Sequence, residues 1–323
     1  MDEKLVDILL ATYNTNIDFL KQQLDSILGQ THKNIRLYIS DDASNKKDVK
    51  SCLDEYKNKD ERITVFYQEN NLGVNKNFEF LLKNSTADYI MFSDHDDIWY
   101  ENKVEESLNK LIEDDVDLVY TDARQIDEKG KVLHESYLKY KSMPKIKGNS
   151  NIITFSRHIA IGCSQIFTKA VKEGMLPFKK VMAHDWISMF IANNLKGVSY
   201  IDKPLFDYRL HNSNVFGGRS MKQNISNWKE KNGKNFASYK KYRKKAIQEA
   251  YLDGCLMCFE YIKTDEEKKI IEYYNEVLKT NIINLKIHNY FKYLYSRAIG
   301  RRMLKEITLF HFPLVGLVVF LVI

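Results

Sequence analysis

Tyr89-Ile90-Met91-Phe92-Ser93-Asp94-His95-Asp96-Asp97 decides how this chain is read. Its first four residues form an apolar run with the length of a buried strand. Three carboxylates crowd the turn that follows. Clustered carboxylates repel one another, so a compensating partner is expected. A divalent cation gripping a diphosphate suits hard oxygen donors, with Mg²⁺ or Mn²⁺ as the ion. The stretch predicts a sheet rim that handles a nucleotide-activated substrate.

Outward from it, strand and helix patterns alternate. Val6, Ile8, Leu9 and Leu10 read as a buried strand, and Ile17, Leu20, Leu24, Ile27 and Leu28 recur at helical spacing. Ile35, Leu37 and Ile39 form a second strand that ends at Ser40-Asp41-Asp42. A polar helix over 48–56, a strand over 63–67 and a helix carrying Val74, Phe78, Leu81 and Leu82 follow. Beyond the acidic turn, Val104, Leu108, Leu111 and Ile112 mark a helix starting near Glu101, and Leu118-Val119-Tyr120 another strand. This alternation predicts the α/β class: a Rossmann-like, mostly parallel sheet with right-handed crossovers and flanking helices. Ligands of such sheets bind beyond the carboxyl ends of the strands. Thr12-Tyr13-Asn14, Ser40-Asp41-Asp42 and Ser93–Asp97 all fall there.

The alternation loosens after Tyr120. Residues 139–147, basic and containing Pro144, read as a loop. Ile166-Phe167, Val198–Ile201 and Leu205–Tyr208 are short strands, and Trp186, Phe190 and Leu195 share a helix opened by His184-Asp185. From about Met221 glycine is scarce, lysine and tyrosine are abundant, and helical spacing returns. The organisation expected is a catalytic domain over 1–220, a helical region over 221–300 and a basic-flanked apolar tail over 301–323.

Composition narrows the function classes. The chain has 323 residues, 44% of them hydrophobic, enough for a large domain with an appendage. With 49 Lys and Arg against 43 Asp and Glu the formal charge is +6, an excess that fits a nucleotide or an anionic membrane surface. Lysines interleaved with acids do not form the stripe of a nucleic-acid binder. Four cysteines are no disulfide framework, and Cys255 and Cys258 lie in a helical pattern as core residues. Met1-Asp2-Glu3-Lys4 leads straight into a strand, so no signal peptide is expected and the cytoplasm is the predicted compartment. Residues 307–323 are apolar except for Thr308 and His311, and follow Arg297, Arg301, Arg302 and Lys305. Attachment to the inner face of a membrane is expected, with a buried terminal element as the alternative.

Each candidate site residue has a chemical and a plain reading. Thr12, Tyr13 and Asn14 could meet a base or ribose. Asp42 could accept a pyrimidine imide N–H, or Asp41, Asp42 and Ser44 could merely form a turn and cap a helix. The amides around Asn71 in Asn70-Asn71-Leu72-Gly73 could approach an anion, or form an ordinary turn. Asp94 and Asp96 straddle one residue and could reach one cation, or a cation and the ribose; otherwise they line a solvated loop. His211, in Tyr208-Arg209-Leu210-His211-Asn212, could be a third metal ligand or a packing residue. Arg209 could contact phosphate. Asp185 could take a proton from an attacking hydroxyl, with His184 and Trp186 beside it contacting acceptor or phosphate. Alternatively it is a helix N-terminal carboxylate favoured by the dipole.

Taken in order, Leu10–Asn14, Ser40–Ser44, Asn71-Leu72-Gly73, Ser93–Trp99, His184-Asp185-Trp186 and Tyr208–Asn212 resemble the inverting family-2 glycosyltransferases of the GT-A fold. Among these the chain is most similar to bacterial rhamnosyltransferases that build cell-wall and capsular polysaccharides. The resemblance covers roughly residues 4–220. It implies that Thr12, Asn14 and Asp42 bind the nucleoside, and that Asp94 and Asp96 hold metal and diphosphate. It further implies that Asp185 is the base and that His211 completes the metal shell. The implied donor is dTDP-rhamnose or a UDP-sugar, and the acceptor a growing glycan or lipid-linked glycan. His95 stands where the family often has a small or amide residue. Two other classes fit less well. A nucleotidyltransferase would bring a glycine- and basic-rich phosphate loop, and none follows Ala11. A glycan-binding scaffold would not need Asp42, Asp94, Asp96, Asp185 and His211 together.

Overall fold

The computed structural model describes residues 4–149, 159–178 and 183–211. The readings for 221–300, for Cys255 and Cys258 and for the apolar tail lie outside these residues. The chain opens with strand β1 (Val6–Thr12), helix α1 (Ile17–Leu28), β2 (Ile35–Asp41), α2 (Lys47–Lys59), β3 (Ile63–Tyr67), α3 (Val74–Asn84) and β4 (Tyr89–Ser93). The acidic turn leads into a two-residue strand β5 (Ile98–Trp99), then α4 (Lys103–Glu113), β6 (Leu118–Ile126), β7 (Val132–His134) and α5 (Tyr137–Tyr140). A 3₁₀ turn (Gly162–Ser164) runs into β8 (Gln165–Thr168), followed by α6 (Lys169–Met175), α7 (His184–Asn194) and β9 (Val198–Arg209).

All these strands join one sheet, in the order β3-β2-β1-β4-β8-β6-β9-β5, with β7 paired to β6. Strands β1 to β4 are mutually parallel, as their doubly buried apolar runs require. β1 has β2 on one side and β4 on the other, so the connections reverse direction between β1 and β4. That reversal opens a crevice at their carboxyl ends. Alternate residues serve the two faces. Val6, Ile8 and Leu10 join Leu20, Leu24 and Ile27 of α1 in the main core. On the other face Phe92 meets Phe78 of α3, Phe167 of β8 and the His184 ring of α7, with centroids 5.0, 4.8 and 4.7 Å apart. The start of α7 is therefore packed directly behind the strand that carries the acidic turn.

The sheet departs from parallel pairing in its second half. β8 runs antiparallel to both β4 and β6, and β5 and β7 are antiparallel to their partners. Among the described residues, six of the nine strands still share one direction. The two short strands expected over 198–208 are a single strand, β9, parallel to β6 and bulged around Pro204, which has no N–H for the ladder. α4 begins at Lys103 rather than near Glu101, and the expected loop over 139–147 contains the end of α5. Leu195 lies just past α7 and is 40% exposed, so it does not share that helix's buried face. Among the described residues no helix is long and apolar enough to cross a membrane.

Candidate active site

Three loops meet at the carboxyl rim. After β1, buried Thr12 is followed by exposed Tyr13 and by Asn14, which adopts φ 47°. Asn14 is pinned to the loop after β2, since its N–H donates to Ser44 Oγ at 2.7 Å and its Oδ1 accepts from Asn45 N–H at 3.0 Å. Asn is among the few non-glycine residues that tolerate this left-handed backbone. Asp41 accepts from the Ser44 hydroxyl at 2.6 Å and from the Ser44 amide at 3.1 Å.

Asp42 is buried, and its two carboxylate oxygens accept from the amides of Leu72 (2.6 Å) and Gly73 (2.9 Å). The Asn71 side chain adds a bond to the Asp42 carbonyl at 3.3 Å. The sequence pattern suggested amides around Asn71 approaching an anion. An anion is there, and it is the Asp42 carboxylate. Gly73 makes this possible, because it takes φ 80° at the head of α3, a backbone that side chains disfavour.

The acidic turn is fixed from several sides. The His95 ring donates from Nδ1 to the Ala11 carbonyl at 3.2 Å, tying the turn to β1 across the crevice. The Gln23 amide, oriented to satisfy both its ends, donates to the Asp97 carbonyl at 2.6 Å and accepts from Trp99 Nε1 and Ser93 Oγ. The end of β9 closes over the turn. Arg209 donates its amide to Asp97 Oδ1 at 3.2 Å and its Nε to the Asp96 carbonyl at 2.9 Å. Its guanidinium also bonds Gln22 and lies 4.4 Å from the Phe19 ring centroid. Arg209 is thus buried against protein acceptors as a clamp on the turn. Two residues on, His211 Nε2 lies 2.6 Å from Asp96 Oδ2.

The electrostatics of this turn are those of crowded acids. Burial first, then the neighbouring Asp96 charge, push the half-buried Asp94 up to about 6. Burial and its two acidic neighbours push Asp97 well above the carboxylate range. Asp96 goes the other way: burial would raise it, but His95 and His211 outweigh that and hold it below the usual value. Among the described residues, the ligand atoms of Asp94 group within 4.8 Å with those of Asp97 and Cys163, and not with those of Asp96 and His211. Burial, then Asp97 and Asp94, push the Cys163 thiol well up, so it stays a neutral thiol. The carboxylates and the His211 imidazole fit a hard divalent cation, whereas a neutral thiol does not.

α7 brings Asp185 to the same place. Its Oδ2 accepts the Gly162 amide at 3.0 Å, its carbonyl accepts from Gln165 Nε2 at 2.8 Å, and its charge reaches Asp94. The approach is close. A Cβ on Gly162 would sit 2.7 Å from His184 Nε2, so only glycine fits. His184 is buried, its ring stacked on Phe78 with centroids 4.1 Å apart, and Trp186 is half-buried one residue beyond Asp185.

The family model for Glycosyl transferase family 2 matches residues 7–174, which span β1 through most of α6. This chain belongs to glycosyl transferase family 2. An uncharacterized glycosyltransferase of Methanocaldococcus jannaschii is 29% identical over 246 residues, covering 72% of this chain and 82% of that protein. The dTDP-rhamnosyl transferase RfbG of Shigella flexneri is also 29% identical, over 224 residues, covering 64% of this chain and 73% of RfbG. Against two Rickettsia glycosyltransferases the aligned 164 residues are only 26% of their length. Among solved structures, TarS of S. aureus (residues 1–349, with UDP-GlcNAc) has a TM-score of 0.61 at 15% identity, covering 91% of this chain and 80% of that one. The mannosyltransferase PcManGT of Pyrobaculum calidifontis, with GDP-Man and Mn²⁺, has a TM-score of 0.55 at 12% identity, covering 94% and 78%. The fold is that of the GT-A glycosyltransferases, and this family 2 member is an enzyme of glycosyl transfer.

Sequence reasoning missed three residues of this family 2 site. Cys163 and Gly162 sit in a stretch of small residues with no strong periodic signal. Lys103 begins an amphipathic helix, where a lysine ordinarily reaches for water. Here it is fully buried, and burial pulls its ammonium down to about 7.

Proposed function

We propose that this enzyme is a metal-dependent inverting transferase for rhamnose. It moves the sugar from dTDP-rhamnose to a hydroxyl of a growing cell-surface polysaccharide or lipid-linked glycan, such as a capsule or cell-wall polymer, in a bacterium. The observation that carries the reading is convergence. His211 pairs with Asp96, the ligand atoms of Asp94 lie beside those of Asp97 and Cys163 in the same acidic turn, and Asp185 is bonded to the Gly162 amide next to Cys163.

The acceptor oxygen attacks the anomeric carbon, the bond from that carbon to the diphosphate oxygen breaks, and the acceptor proton passes to Asp185. The nucleoside diphosphate leaves on the opposite face, so configuration inverts. Asp94, Asp96 and His211 would hold Mn²⁺ or Mg²⁺, which would supply positive charge to offset that growing on the departing diphosphate. Thr12, Tyr13, Asn14 and Asn71 would line the nucleoside side of the crevice. Asp42 would serve twice, anchoring the Leu72–Gly73 loop and offering its remaining lone pairs to the base imide. Arg209 acts by fixing the acidic turn, and Trp186 and His184 shape the approach of the acceptor. Most of the rate gain would come from positioning and charge stabilisation.

A UDP-hexose donor (galactose, glucose or N-acetylhexosamine) is the second reading, favoured by the fold similarity to TarS with its UDP-GlcNAc. A lipid-linked acceptor would put the reaction at the inner face of the cell membrane. The catalytic domain would end near residue 220 and the basic-flanked tail over 301–323 would contact the surface.

A thermal-shift screen of dTDP-rhamnose and UDP-sugars with Mn²⁺ tests the reading, because a ligand of the native state raises Tm by mass action. dTDP-rhamnose giving the largest shift, lost on chelation, is the expected result. A larger shift with a UDP-hexose selects the second reading, and shifts indifferent to metal contradict the assigned acidic pair.

A further inference from the structure

The chemistry above leaves one costly group without a task. Lys103 is completely buried at the start of α4. Its Nζ lies 3.8 Å from the Trp99 ring centroid and 4.0 Å from that of Phe206. It donates to the Cys163 carbonyl at 2.5 Å. Burying an ammonium is expensive unless ring faces, acceptors and opposite charges replace its water. Here two aromatic faces and one carbonyl replace it. A methionine would fill the same space without that expense. It would also leave the Cys163 carbonyl without its donor.

That carbonyl belongs to a turn with two sides. One side is held by Lys103. From the other, the Gly162 amide donates to Asp185 Oδ2 at 3.0 Å. The turn packs against α7 with no slack, since the position of a Gly162 Cβ is 3.4 Å from Asp185 Cβ and closer still to the His184 ring. Gln165, immediately after the turn, donates to the Asp185 carbonyl. The Asp185 backbone is therefore fixed by β8, and the Gly162 N–H is a donor that holds its carboxylate. A turn freed at Cys163 could rotate its peptides and withdraw that N–H.

We infer that Lys103 is a positioning residue for sugar transfer, one that holds the Cys163 carbonyl so that the Gly162 amide orients the Asp185 carboxylate toward the acceptor. This rests on the reading of Asp185 as the base. Lys103 touches neither donor nor acceptor. Its loss should leave nucleotide binding alone and slow the proton-accepting step, since a misplacement of about 1 Å can cost on the order of a hundredfold.

The test compares Lys103→Met, Phe206→Leu and Asp185→Asn in the full chain, with kcat, donor KM and the pH profile of kcat measured for each. For Lys103→Met we expect kcat to fall about 10- to 100-fold with donor KM within about twofold. The acidic limb of its kcat profile should move to higher pH, because a carboxylate that loses an N–H donor holds its proton more tightly. A merely structural lysine would lower Tm without moving that limb. A folded Lys103→Met enzyme with unchanged kcat and an unmoved limb overturns the inference. If Lys103→Met does not fold, Phe206→Leu opens one wall around the ammonium while keeping it. A threefold or greater fall in kcat with a shifted limb then supports the inference, and an unchanged profile overturns it. Asp185→Asn separates the two levels. If it retains transfer, the base assignment falls and this inference with it. If it abolishes transfer while Lys103→Met leaves the profile intact, only the role of Lys103 falls.

Discussion

Two acidic clusters end neighbouring parts of the same sheet: Asp41 and Asp42 after β2, and Asp94, Asp96 and Asp97 after β4. Local protein groups meet the first pair. Ser44 supplies two donors to Asp41, and the Leu72 and Gly73 amides saturate one lone pair on each oxygen of Asp42. In the second cluster Asp96 pairs with His211 and Asp97 accepts the Arg209 amide, yet the carboxyl groups of Asp94 and Asp97 remain crowded together beside Cys163. Asp94 is pushed up to about 6 and Asp97 well above the carboxylate range. The lesson is that an amide on each oxygen turns a strand-end aspartate into a loop anchor, whereas acids crowded together in burial keep unspent acceptor capacity. The first cluster shapes a loop. The second is the one we propose for a cation and a diphosphate.

That contrast breaks or sharpens under substitution. The largest effect is expected beside the second cluster: Asp185→Asn should lower transfer by roughly 10²–10⁴-fold with nucleotide affinity nearly intact. Steady-state kinetics with calorimetric nucleotide binding check this, and a large loss of binding would reassign the residue. Next, Asp94→Asn should lower kcat by about 10²–10³-fold while leaving the metal-free protein as stable as wild type or more so, because it removes repulsion. Asp42→Asn should do the reverse. It places an amide against the Gly73 N–H, so urea unfolding should show a loss of about 1–3 kcal/mol and donor KM should rise, with kcat changing little. Equal kinetic damage at Asp42 and Asp94 would erase the distinction between the clusters.

The smallest effect is in the pH dependence of stability without metal. Asp94 has a folded value near 6, above that of an unfolded aspartate. A raised acid stabilises the fold below the unfolded value and loses that contribution as pH rises through the folded one. In chelator, wild type should therefore lose about 2 kcal/mol relative to Asp94→Asn between pH 4 and 6, read from denaturant midpoints across that range. A flat difference would mean the Asp94 carboxyl is solvated rather than crowded.

The clusters also differ in how far they could be read beforehand. The strands β1 to β4 were legible because doubly buried parallel strands are written as continuous apolar runs, and their polar ends mark the rim. Asp94, Asp96 and His211 were legible as types in an order. The pairing of His211 with Asp96 depends on β9 lying beside β5, which no local pattern encodes. β8 was recognised as a strand but not as an antiparallel one, because four residues carry no directional signal. The pairing of Asp42 with Leu72 and Gly73 had both halves visible and its bond hidden, since register across 30 residues is a tertiary outcome. Lys103 was illegible for a different reason. Its burial depends on Trp99, Phe206 and Cys163 arriving from three elements, against the ordinary preference of lysine for water.

One measurement bears most directly on the central claim of a cation-bridged diphosphate beside a base: anomalous diffraction from crystals grown with Mn²⁺ and a nucleoside diphosphate. The account predicts a single manganese peak bonded to the carboxylates of the acidic turn and to the diphosphate, with Asp185 facing the same crevice. A nucleotide bound there with no manganese, or manganese bound away from Asp94 and Asp96, would contradict it.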